Sequence, residues 1–122
     1  MSQLSSTSSV HCRVRYNDEH YPCETSLAMS LIGGKWKSVI LYHLLTGTMR
    51  YSNLRRAIPD ISERTLSLQL KSLEADGLVK RTATGDKPPL HVTYQLTDIG
   101  ESVRPVISAI MNWGSLIKQP AD

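Results

Sequence analysis

The sequence predicts a mainly α fold with a two-stranded β-hairpin. Three observations carry this. Apolar residues recur at helical spacing between Pro22 and Gly77, the spacing then drops to roughly two, and helical spacing returns after Thr97. The 122 residues leave room for one domain with its own core.

Residues Met1 to Val10 hold five serines and a threonine with little to bury. They read as a flexible arm, which we extend over residues 1–19, with the folded domain spanning 20–119. In a first helix Leu27, Ala28, Leu31 and Ile32 share a face, and Gly33 and Gly34 stop it. A second helix from about Lys35 places Trp36, Val39, Ile40, His43 and Leu44 on a buried stripe, and Gly47 ends it. In a short third helix Leu54, Ala57 and Ile58 turn inward, Arg55 and Arg56 turn outward, and Pro59 blocks continuation.

Ser62 is the predicted N-cap of a fourth helix. Ile61 and Leu66 stand where a hydrophobic staple needs them, Glu63 suits the positive end of the helix, and Gly77 supplies the stop. Two strands follow, LVKRTAT and HVTYQLT, joined by the turn-forming GDKPPL. On the second, Val92, Tyr94 and Leu96 share one face and His91, Thr93 and Gln95 the other. Thr97 caps a last helix whose apolar stripe from Ile99 to Ile117 runs for about five turns, with Pro105 expected to kink it.

Helix, short helix, capped helix and hairpin, in that order, make a winged helix-turn-helix, in which the capped helix enters the major groove of DNA. Over Ser62 to Leu73, the leucines Leu66, Leu70 and Leu73 cluster on one side. Arg64, Leu68 and Lys71 project from the other, flanked by Thr65 and Ser67. Arginine can read guanine, hydroxyls reach phosphates or base edges, and Leu68 can pack on a thymine methyl. Arg55 and Arg56 at one end and Lys87 of the hairpin tip at the other are placed for phosphates. The expected partner is therefore double-stranded DNA, a palindromic operator if the protein is symmetric. An alternative is a winged-helix module that binds another protein through Leu68 or the hairpin.

Composition agrees with a folded chain that can bind nucleic acid. Charged residues are 20%, apolar residues 40%, and the net charge of +3 permits a nucleic-acid partner without requiring one. No run reaches the roughly 18 apolar residues of a membrane span, and no secretory signal is seen, so a cytoplasmic protein is expected. No phosphate-loop, dinucleotide, nucleophile-elbow or zinc-protease motif occurs, so neither an enzyme nor a cofactor is expected. His11, Cys12, His20 and Cys23 match no zinc-finger spacing, so no metal is expected either.

A single winged-helix core cannot also enclose the stripe of the last helix, which predicts a homodimer. Ile99, Val103, Ile107, Ile110, Met111, Trp113 and Ile117 are its candidate interface.

Ile32 to Trp36 (IGGKW), Ile61 to Leu66 (ISERTL), and Leu96-Thr97 before Gly100 together resemble the HxlR family, and the likeness runs over about residues 20–117. It implies a winged helix-turn-helix dimer built through terminal helices, with a role in transcription regulation. Two departures stand out. Pro88, Pro89, Leu90, His91, Val92, Thr93 and Tyr94 stand where the wing usually reads Val-Pro-Pro, a basic residue, then Val-Glu-Tyr, so the resemblance implies a wing contact to DNA through the weak base His91. Members also often place a cysteine immediately before the proline that opens the first helix, whereas here Tyr21 precedes Pro22 and Cys23 follows it.

Cys23 beside a helix start suits reaction with oxidants or electrophiles, with Cys12 as a resolving partner. A small residue filling space is the alternative reading. An oxidant or small-molecule effector fits the first.

Overall fold

The computed structural model describes residues 13–121, so Cys12, His11 and the serine-rich arm lie outside it. The chain divides into two compact units, Met1–Gly34 and Lys35–Asp122, which are described separately.

In the first unit, β1 (Val14–Tyr16) pairs antiparallel with β2 (Glu19–Tyr21), and α1 (Glu24–Ile32) follows. The hairpin corrects the flexible-arm reading of residues 14–19. Its turn residues, Asn17 and Asp18, lie at φ 50° and 64°. Left-handed backbone at both positions is what a tight hairpin turn needs, and Asn and Asp adopt it more readily than other non-glycine residues. Without an Asn-Gly pair, and with strands of 3 residues each, the periodicity was too short to announce it.

The second unit holds α2 (Lys37–Leu44), β3 (Met49–Arg50), α3 (Tyr51–Ala57), α4 (Glu63–Ala75), β4 (Val79–Thr84), β5 (His91–Leu96), α5 (Asp98–Glu101) and α6 (Arg104–Ile117). This is the order of a winged helix-turn-helix. The wing is larger than expected, because β3 adds to β5 and makes a sheet of order β3-β5-β4. Met49 pairs with Tyr94 and Arg50 with Thr93, a bridge too short to show as a sequence period.

The α4 signals hold in detail. The Ser62 Oγ accepts from the Thr65 amide at 3.0 Å, Ile61 and Leu66 are both buried, and Gly77 lies at φ +83° just beyond the helix. That left-handed conformation closes the C-terminus as a glycine stop does. Leu66, Leu70 and Leu73 meet the core together with Ile40, Leu41 and Leu44 of α2 and Leu54 of α3. Leu41 is wholly buried although the predicted stripe omitted it, while His43 is only half-buried. Ala57 is exposed, so α3 turns inward through Leu54 and Ile58.

The last helix is corrected in two ways. Thr97 caps a short α5 by accepting from the Gly100 amide at 3.1 Å, and the chain turns at Ser102–Val103 before α6 begins. Pro105 therefore sits in the first turn of α6 and kinks nothing. A proline amide nitrogen lacks a hydrogen, and the first turn is where that hydrogen has no helical acceptor. Val103 and Ile107 are buried in this chain's own core, unlike the rest of the stripe assigned to the dimer.

Gly100 has a packing reason to be glycine. A Cβ there would run into the Leu78 carbonyl oxygen, which also accepts from the Thr97 amide at 3.0 Å. The Thr97 hydroxyl donates to the Gly77 carbonyl at 2.6 Å. The end of α4, the start of β4 and α5 are thus joined at one point.

Candidate nucleic-acid interface

The 13 residues of α4 present two chemically distinct sides. The inner side is leucine. On the outer side Arg64, Ser67, Leu68 and Lys71 are exposed, with Leu68 at 53%, and Thr65 lies half-buried at the edge. A leucine so placed leaves about half of its surface free to meet a partner. Among the described residues, Arg64 and Lys71 make no ion pair, so both charges are open to a partner.

The hydroxyls are partly committed. Besides capping the helix, Ser62 donates to the Thr65 Oγ1 at 2.9 Å. The Tyr51 hydroxyl donates to the Glu63 carbonyl at 3.3 Å and lies 3.2 Å from the Ser67 Oγ. With the phenol proton on Glu63, Ser67 donates to Tyr51 and keeps its lone pairs for an incoming donor. Tyr51 was not singled out from the sequence, where an aromatic at a helix start carries no distinguishing signal.

The two arginines of α3 differ. Arg56 is exposed, as expected. Arg55 is half-buried: its Nε donates to the Ile61 carbonyl at 3.4 Å and its Nη1 stands 3.9 Å from Glu63 Oε2. It braces the turn between α3 and α4 instead of projecting freely outward.

In the wing, Lys87 is exposed in the loop between β4 and β5. His91, at the start of β5, holds its Nδ1 2.7 Å from Arg50 Nη2. A guanidinium only donates, so Nδ1 accepts and the ring proton rests on Nε2, where it can donate outward. Tyr94 is buried behind this surface, and burial raises its phenol above the usual value near 10, opposed by a hydrogen bond and positive charge from Arg81.

In the first unit, Cys23 is the N-cap residue of α1, half-buried, and its side chain makes no capping hydrogen bond. Across the described residues no three potential metal ligands cluster, and no helix is long and apolar enough to cross a membrane.

Known proteins resemble this chain in sequence and fold. The family model described as HxlR-like helix-turn-helix matches residues 31–122. The HTH-type transcriptional regulator YdeP of Bacillus subtilis is 39% identical over 106 residues, covering 87% of this chain and 82% of its own. YdzF of the same organism is 49% identical over 87 residues, 70% of this chain and 79% of its own. Among solved structures, the redox regulator HypR in its oxidised form matches with a TM-score of 0.74 at 37% identity, covering 80% of this chain and 100% of its own. The reduced form of the transcriptional regulator YodB from Bacillus subtilis matches with a TM-score of 0.67 at 31% identity, over 82% and 98%. The order of elements, the capped outer helix, the wing and these likenesses agree, and the chain belongs to the HxlR-like helix-turn-helix family of transcriptional regulators.

Proposed function

We propose that this chain binds double-stranded DNA sequence-specifically as a homodimer, and that oxidants or electrophiles modulate it through Cys23. The outer side of α4 carries the DNA reading: Arg64 and Lys71 flank an exposed Leu68, and among the described residues neither cation is ion-paired. Arg64 suits the O6 and N7 of guanine, Leu68 a thymine methyl, and Ser62, Thr65 and Ser67 the neighbouring base edges or phosphates. Arg56, Lys87 and His91 lie where the backbone would pass, while Arg55 acts by holding the turn. A location with the genome, in the cytoplasm, goes with this role, and no catalytic group is assigned.

The exposed side of α6 supports the dimer. Ile110, Met111, Trp113 and Ile117 are all more than two-fifths exposed, and Leu116, which the sequence reading left out, is 81% exposed. A groove of about 290 Å³ between α2 and α6, lined by Val39, Tyr42, Ile110 and Met111, continues this apolar surface. Two-fold pairing would set the recognition helices about 34 Å apart, one turn of DNA. For Cys23, the support is its uncommitted side chain at a helix start and the likeness to HypR, named as a redox regulator.

Selection of bound duplexes from a random pool tests the DNA reading. Enrichment of a palindrome with half-site centres about 10 base pairs apart is expected. Arg64→Ala should cost about 1–3 kcal/mol and relax one position in each half-site, while Lys87→Ala should weaken all duplexes alike and reduce the salt slope by about 1. No enrichment, or an unchanged preference in Arg64→Ala, would remove the reading. For Cys23, diamide should lower the affinity of the wild type and leave Cys23→Ser unaffected.

A further inference from the structure

Between the wing and the start of α3 lies a hollow of about 360 Å³ to which the DNA reading gives no role. Two arginines reach it from different strands, Arg50 from β3 and Arg81 from β4. Arg50 bonds the neutral imidazole of His91 and Arg81 the phenol of Tyr94, so neither charge is neutralised by its partner. Among the described residues neither arginine pairs with a carboxylate. The rest of the lining is Leu90, Val92 and the rings of Tyr51 and Tyr94, with Ser52.

A small ligand site combines apolar side chains with a few polar groups, and this hollow lies at the lower end of the usual size range. Guanidinium forks match the planar, two-oxygen geometry of a carboxylate. An inorganic phosphate or a backbone phosphate would satisfy the arginines but gain nothing from Leu90 and Val92. We infer that this hollow is a binding site for a small aromatic carboxylate, its acid group between Arg50 and Arg81 and its ring on Leu90 and Val92.

The site also reaches α4. Tyr51 lines the hollow, and its hydroxyl holds the Glu63 carbonyl and Ser67. A ligand against that ring would bear on the placement of the recognition helix, a consequence that rests on the DNA reading, whereas binding itself does not.

Calorimetric titration of the full chain, without DNA, with benzoate, benzyl alcohol and inorganic phosphate is the test. Benzoate should bind saturably, and the two other probes about tenfold or more weakly. Arg50→Gln and Arg81→Gln, both at exposed positions, should each weaken benzoate by about tenfold. Leu90→Ser should weaken benzoate but leave phosphate unchanged. No saturable binding of benzoate, unchanged binding in both arginine variants, or phosphate binding as well as benzoate would overturn the site. A chain that took benzoate as described yet bound no duplex would sustain the site and defeat the DNA reading alone.

Discussion

The Tyr51 hydroxyl stands between the Glu63 carbonyl and Ser67, so one phenol at the start of α3 fixes the first turns of α4. Tyr51→Phe keeps the ring and loses both contacts. It should cost about 0.5–1.5 kcal/mol of stability by urea denaturation and weaken a preferred duplex more than a random one. Tyr94 makes a different prediction. Burial raises its phenol in the folded state against the opposing hydrogen bond and charge of Arg81, so the unfolded chain ionises earlier as pH rises. Its contribution is complete below about pH 10 and is lost as pH climbs through the raised value. Denaturation midpoints across the alkaline range should fall for the wild type, and Tyr94→Phe should remove this component.

Among the elements, α4 and α6 separate what sequence signals resolve from what they do not. In α4 every boundary signal was local, and the structure realises each at the residue named. Ser62→Ala should cost about 1 kcal/mol, because it leaves the Thr65 amide without its acceptor, and thermal denaturation would register the loss. In α6 the stripe was legible, but its allocation was not. A helical period reports which residues share a side, and says nothing of whether that side meets its own core or another surface. Val103 and Ile107 lie on the inner part, while Ile110, Met111, Trp113 and Leu116 face outward.

For the whole molecule, this division gives two substitutions with opposite signatures. Ile110→Asp should dissociate the proposed dimer, read by sedimentation at micromolar concentration, while leaving the far-ultraviolet circular dichroism unchanged. Ile107→Ala should instead cost about 2–5 kcal/mol of stability through a cavity in the core. A monomeric wild type would remove the dimer, and dissociation by Ile107→Ala without loss of stability would reverse the allocation within α6.

What the sequence determined by itself was whatever depends on neighbours a few residues apart. The helix-turn-helix order, the cap at Ser62, the staple of Ile61 with Leu66, the glycine stop and the inner and outer sides of α4 are of this kind. Only the tertiary structure decided the rest: β3 joining β5, Arg55 turned into a brace, Tyr51 holding α4, and Arg50 and Arg81 meeting in one hollow. Arg50 meets His91 across 41 positions, and β3 contributes two residues to the sheet. Contacts of such length are set by how packed elements bring distant residues together, and a local period carries no record of them.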